Sequence, residues 1–280
     1  MSGYRVVDSE FQSGVSGLKE YYKTSVGYQK HLLLKKYDYF ERFVSCVCCV
    51  SSPSDLILDL GCGTGQSTGS IAARGRTVIG SDISDLFIRE ASKESLCRFV
   101  TSDAARLPFQ DHIFDVICAM EFIEHVWPVD TILMEMNRVL KPGGRIVIVS
   151  PNLVSPMWPI RDLPGMVARR KFRAPLYANY LEAISFFCRA LRLTVKKKLA
   201  RIPEFISRHP DLEHADDGGD FDAVYHSNAL DLSRFLRNHG YRVKLHVLPQ
   251  KSSYAYLREC IARFMGSMWT SFALVGTKPT

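Results

Sequence analysis

A chain of 280 residues, 46% apolar and 23% charged, is long enough to bury a large core and has the balance of an ordinary globular protein. No apolar run approaches the roughly 20 residues that a bilayer span requires, and Met1-Ser2-Gly3-Tyr4-Arg5 lacks the apolar stretch of a secretory leader. The net charge of +7 is local: residues 158–208 carry twelve Lys/Arg against three Asp/Glu, whereas residues 209–222 carry six acids and no Lys/Arg. Eight cysteines scattered through expected core elements suit reduced thiols and a cytoplasmic location, not a disulfide framework.

Residues 1–52 read as a helical cap, with Leu32, Leu33, Tyr37, Phe40, Val44 and Val47 at helix-like intervals, closed by Pro53-Ser54-Asp55. Over 53–152 strand and helix patterns alternate. Strands are predicted at 56–60, 77–81, 97–102, 114–120 and 145–150, and helices at 66–74, 85–92 and 129–139. Continuous Val/Ile runs between helices imply parallel strands covered on both faces, so a doubly wound α/β sheet is the expected fold. Residues 153–226 break the rhythm. Pro156, Pro159, Pro164 and Pro175 keep the first part irregular. A helix follows over 177–201, with Tyr177, Tyr180, Leu181, Ile184, Cys188, Leu191, Val195 and Leu199 on one face. Residues 227–280 return to the core with a helix over 227–238 and strands at 241–248 and 269–277.

The segment Leu58-Asp59-Leu60-Gly61-Cys62-Gly63-Thr64-Gly65 runs from a strand through a glycine turn toward a helix. Glycines there permit positive φ and let a ligand approach without meeting a Cβ. Asp59, Asp82 and Asp103 end three successive strands, which a parallel sheet brings to one edge. Asp82 falls 17 residues after Gly65, near the spacing at which a carboxylate grips a ribose diol, and it would repel a 2′-phosphate. Ile83 offers an apolar face to a base, and Asp103-Ala104 an acceptor and an amide for the base edge. A dinucleotide fold would place its third glycine at 66, where the chain has Gln66.

Five segments in this order resemble the core of the class I S-adenosylmethionine-dependent methyltransferases over residues 56–152. They are Asp59-Leu60-Gly61-Cys62-Gly63-Thr64-Gly65, Gly80-Ser81-Asp82-Ile83-Ser84, Ser102-Asp103-Ala104-Ala105-Arg106-Leu107-Pro108-Phe109, Phe114-Asp115-Val116-Ile117 with Glu124-His125-Val126, and Arg138-Val139-Leu140-Lys141-Pro142-Gly143-Gly144. The resemblance implies a mostly parallel seven-stranded sheet with its last strand antiparallel, and S-adenosyl-L-methionine as cofactor. It places Gly61, Cys62, Gly63 and Gly65 along the methionine portion, Asp59 toward its amino group and Asp82 on the ribose hydroxyls. Ile83 would pack on adenine, Asp103 and Ala104 would read its edge, and Met120 would offer a carbonyl near the methionine amine. The acceptor, a small molecule or a lipid- or glycan-linked one, would enter between the cap at 1–52 and the insertion at 153–226. An RNA methyltransferase and a methyltransferase-like binding module without turnover stay open as alternatives.

Displacement at a sulfonium depends mainly on alignment, and needs a base only when the acceptor holds its proton at neutral pH. The candidate bases are Glu121 and His125, which share a face if 121–125 is helical, and His226. Tyr21, Tyr22 and Tyr28 either line a lid over the cofactor or pack the cap on the core. Arg189, Arg192, Lys196 and Lys197 flank the apolar face of 177–201, with Arg169-Arg170-Lys171 upstream. That leaves a helix packed on the domain with a solvated basic rim, a substrate lid whose apolar face closes the pocket, peripheral contact with the inner membrane surface, or nucleic acid, the last being least expected. The acidic stretch 209–220 fails the spacing of a calcium loop. It reads as a solvated loop clamped on the basic helix, and no metal is expected. Nothing in the sequence sets an oligomeric state.

Overall fold

The computed structural model describes residues 8–27, 37–94, 97–167, 179–215, 220–247, 268 and 270–280. The expectations placed on Tyr28, Leu32, Leu33, Arg169, Arg170, Lys171, Pro175, Tyr177 and Cys260 lie outside these residues. Two cap helices, α1 (Ser9–Thr24) and α2 (Tyr37–Val50), precede the core, which opens β1 (Leu56–Leu60), α3 (Gln66–Ala72), β2 (Thr77–Asp82), α4 (Asp85–Glu94), β3 (Arg98–Thr101) and β4 (Phe114–Met120). It continues with α5 (Val129–Val139) and β5 (Leu140–Pro151). The insertion contributes α6 (Trp158–Val167) and α7 (Tyr180–Leu199), and α8 (Ala229–Asn238), β6 (Arg242–Val247) and β7 (Ser271–Thr277) complete the core.

One seven-stranded sheet has the order β3-β2-β1-β4-β5-β7-β6. The strands through β5 pair in parallel, and β7 runs antiparallel to both β5 and β6. Ile57, Leu58 and Leu60 of β1 are fully buried, as a central strand covered on both faces demands. On one face α5 and α8 supply Ile132, Leu133, Met136, Leu232 and Leu236; on the other α2 and α3 supply Phe43, Val44, Val47 and Ile71. Each such side chain contributes roughly 1.5–3 kcal/mol on burial. Helices on both faces make the sheet doubly wound, as the alternating pattern predicts.

The start of the insertion is not irregular throughout, because α6 runs through Pro159 and Pro164. Three further local readings change. β5 begins at Leu140 instead of the expected 145: Phe114 pairs with Leu140 and Val116 with Arg145, so residues 141–144 bulge within the strand. Gly143, at φ +73°, makes the bulge possible. Residues 121–125 are not an α-helix. Glu121 takes φ +47° and only Ile123–His125 form a 3-10 turn, so Glu121 and His125 do not share a helix face.

The third change concerns α7. Asn179 caps it by accepting from the Glu182 amide at 2.9 Å. Its buried positions are Ala183, Ala190, Thr194 and Lys197, while the apolar row points outward, with Leu181 80%, Ile184 61% and Leu199 78% exposed. Small side chains let the helix approach the domain closely. Lys197 is not part of a basic rim: its ammonium is buried against Asp231 and donates to the Glu204 carbonyl at 2.8 Å. Asp231 in turn accepts from Asn228 Nδ2 at 2.8 Å and from the Glu204 amide at 3.2 Å. Removing one member of so buried a pair strands the other charge. Asp231→Ala should therefore cost about 3–5 kcal/mol in urea unfolding, and the double variant Lys197→Met/Asp231→Leu markedly less.

Candidate functional site

Strand order reverses between β1 and β4, and an open α/β sheet binds ligands in the crevice outside the strand ends at that point. The glycine turn leaves β1 there. Gly61, Gly63 and Gly65 have φ of +73°, +51° and +79°, the left-handed region that favours glycine. The turn hangs on the end of β2, because Gly61 and Cys62 amides donate to the Ser81 carbonyl at 2.8 and 3.1 Å. Asp82 completes the tie. Its Oδ2 accepts from the Gly63 amide and its Oδ1 from the Ser84 amide, both at 2.9 Å. Burial raises the Asp82 pKa, and those two amides oppose the rise. Its carbonyl also accepts from the Ser102 amide at 2.8 Å, linking β2 to the Asp103 turn.

Asp59, Asp82 and Asp103 do lie at one edge, in three different environments. Asp59 is 1% exposed and its Oδ2 accepts from Ser67 and Thr68 hydroxyls at 2.7 Å each, fastening the start of α3 to β1. Burial raises its pKa. Asp103 is half-buried and pairs with Lys19 of α1 at 2.6 Å. Its partial burial works upward, but Lys19 and the Ala105 amide hold its pKa below the ordinary value. The cap helix thus closes directly over the third strand end. Cys62 turns inward, where a Cβ on Gly80 would come within 2.9 Å of its sulfur, so only its backbone is free to meet a ligand. Ile83 is half-buried, Ala104 is buried, and Met120 ends β4 half-buried.

Beyond Phe122, whose ring crowds Gly61, lies a polar cluster whose members are far apart in sequence. Glu124 is fully buried; its Oε2 accepts from Ser150 at 3.1 Å, and its carbonyl accepts from the Val224 and Tyr225 amides at 2.9 and 3.1 Å. His125 Nδ1 is 3.5 Å from Asp222 Oδ2, and its Nε2 is 3.8 Å from Glu124 Oε1. Tyr22 of α1 donates to Asp222 at 2.5 Å, and Tyr21 packs edge-on against Tyr22. Burial pushes the Glu124 carboxyl up to about 8, with the His125 charge opposing. Burial works the His125 ring downward, yet Asp222, Glu124, Asp220 and Glu121 together raise it. The strained backbone of Glu121 fits the concentration of such strain at functional sites.

His226 stands in different surroundings. Burial, then Arg208 and Lys197, depress its pKa to about 4, so it is a poor base near neutrality. The acidic stretch is not uniformly solvated: Asp211 pairs with His214 at the surface, whereas Asp220 lies beside Glu124 and His125, and Asp222 just beyond the stretch is 1% exposed and faces His125. Lys19, Phe122, Ser150 and Asp222 escaped the sequence reading, Tyr22 was expected only as a lid or packing residue, and Asp220 only as part of an acidic stretch. Only Glu124-His125 carried a local signal, because the rest converge through tertiary contacts. Cys46, Cys48, Cys49, Cys62, Cys97, Cys118 and Cys188 are free thiols.

A Cβ on Gly61 would meet Phe122 Cδ2 at 2.3 Å, in addition to the cost of a positive φ. Gly61→Ala should destabilise the fold by about 2 kcal/mol or more, combining the ~1–2 kcal/mol left-handed penalty with the clash. Adding Phe122→Ala in thermal unfolding should not deepen the loss by the full cost of an independent core deletion, since it removes the clash.

Residues 58–148 match the family described as a methyltransferase domain. Similar curated proteins include the demethylmenaquinone methyltransferases of Beutenbergia cavernae, 36% identical over 44% of this chain and 51% of that protein, and of Mycolicibacterium vanbaalenii, 37% identical over 48% and 61%. The chain spans about half the length of the curated relatives it matches. Among solved structures, magnesium protoporphyrin IX methyltransferase from Synechocystis with bound SAH shares the fold at TM-score 0.55 and 13% identity, covering 95% of this chain and 99% of that one. An S-adenosylmethionine-dependent methyltransferase from Mesorhizobium loti does so at TM-score 0.52 and 13% identity, over 87% and 98%.

Proposed function

We propose that this chain, whose core belongs to the class I S-adenosylmethionine-dependent methyltransferases, moves a methyl group from S-adenosyl-L-methionine to a small or lipid-linked acceptor by in-line displacement. The observation that carries this is the Asp82 tie beside the glycine turn. Each Asp82 oxygen takes one backbone amide, and a carboxylate has lone pairs left for a ribose diol. Three positive-φ glycines leave the turn without side chains where a ligand must approach. The residues present therefore fit the cofactor. When bound, S-adenosyl-L-methionine supplies a methyl group on a sulfonium, a good leaving group.

The chain's own residues supply alignment and dryness. Holding acceptor and methyl in line is worth up to about 7–11 kcal/mol. Lys19 and Tyr22, anchored on Asp103 and Asp222, draw α1 over the strand ends and limit water. For a hydroxyl acceptor the proton passes to the carboxylates beside His125, Glu121 and Asp222. His226, with its depressed pKa and cationic neighbours, is left out of that role.

A lipid-linked acceptor is favoured by α7. Tyr180, Leu181, Ile184, Leu191, Val195 and Leu199 fall within an arc of about 100°, all exposed, with Arg189, Arg192 and Lys196 beside them. This is the pattern of a helix lying in an anionic membrane interface. The exposed row is mainly aliphatic, which suits acyl chains better than base stacking and favours a lipid acceptor over RNA. Among the described residues no helix is long and apolar enough to cross a membrane; the proposed contact is a peripheral one, at the inner membrane surface.

Asp82→Ala should weaken S-adenosyl-L-methionine binding about tenfold or more in calorimetry, as loss of charged hydrogen bonds predicts; unchanged affinity in a folded variant would overturn the cofactor assignment. Leu181→Asp/Leu199→Asp should abolish co-sedimentation with phosphatidylglycerol vesicles while moving stability by only about 0.5 kcal/mol. Retention on the vesicles would refute the membrane contact.

A further inference from the structure

Most buried polar groups here are answered by neighbours. Asp59 has Ser67 and Thr68, and Lys197 has Asp231 and the Glu204 carbonyl. Among the described residues, the cluster after β4 stands apart. Glu124 is fully buried, yet its Oε1 has no hydrogen-bond partner, and neither has His125 Nδ1. One ligand atom each from Glu124, His125 and Asp220 lies within 4.8 Å of the others. Glu121 and Asp222 add negative charge, and Arg208 is the cation among their neighbours. Carboxylates taken out of water in such numbers are costly unless protons or a cation neutralise them.

A proton shared between two carboxylates would draw their oxygens into a short hydrogen bond, and Glu124 Oε1 makes none: it is unpartnered and faces His125 Nε2 at 3.8 Å. An ion about 2.1 Å from each ligand holds neighbouring ligands roughly 3 Å apart, a spread that side-chain rotation reaches from the present one. We propose that Glu124, His125 and Asp220 form a divalent-cation site at the carboxyl edge of β4, on the acceptor side of the glycine turn. Two carboxylate oxygens and an imidazole nitrogen suit Mn2+, Zn2+ or Mg2+. Three protein ligands leave coordination positions open, so an oxygen of the acceptor would complete the shell. The spacing of the acidic stretch gave no hint of this, because the ligands come from positions 124, 125 and 220.

The test is Mn2+ binding to the chelator-treated full chain, followed by electron paramagnetic resonance and calorimetry, without turnover. One ion per chain is expected, with Zn2+ competing for it and a higher melting temperature when it is bound. Glu124→Gln and the less buried Asp220→Asn should each weaken binding about tenfold or more, with unchanged circular dichroism, whereas Asp82→Ala should retain the ion. Absence of stoichiometric binding, or undiminished affinity in a folded Asp220→Asn variant, would overturn the site. S-adenosyl-L-methionine affinity measured in the same samples separates this failure from failure of the methyltransferase reading.

Discussion

The Asp82 carboxylate holds the cofactor edge of this molecule together. One oxygen fixes the Gly63 amide of the turn after β1, the other fixes the Ser84 amide after β2. Its own carbonyl receives the Ser102 amide from the third strand end. Three strand ends are thereby locked in register around a group that still has lone pairs to offer. A glycine turn has little intrinsic preference for one shape, so without this tie the loop would pay its ordering entropy when a ligand arrived. Asp59 plays the complementary part underneath, binding α3 to β1 through two hydroxyls in a site closed to water.

The excursion between β5 and α8 shapes the other side of the crevice in two ways. Its far end brings Asp220 and Asp222 back to β4, where they meet Glu124 and His125 and where Tyr22 reaches them from the cap. Its long helix is fastened through Ala183, Ala190, Thr194 and Lys197. The small residues allow close approach and the Lys197–Asp231 pair fixes position, which leaves the aliphatic row free. A folded domain rarely leaves such a row unburied without a use for it.

Hydrophobic periodicity made the core legible because parallel strands buried on both faces are written as continuous Val/Ile/Leu runs. Leu56–Leu60 and Phe114–Met120 are read from sequence with the boundaries the structure gives. Boundaries slipped where backbone pairing, invisible in composition, extended an element, as at Leu140. The insertion misled for another reason. An apolar helical face is normally a packing face, and only the position of Asp231 on α8 shows that Lys197 turns inward and the apolar row outward.

Sequence by itself determined the order of strands and helices, the glycine turn and the three acids at strand ends, since each depends on residues within a short window. Tertiary structure alone decided that Phe122 abuts the turn, that Lys19 reaches Asp103, and that Glu124, His125, Asp220 and Asp222 share one buried space. The energy of a buried carboxylate depends on what surrounds it, and residues almost a hundred positions apart become surroundings only when the chain closes.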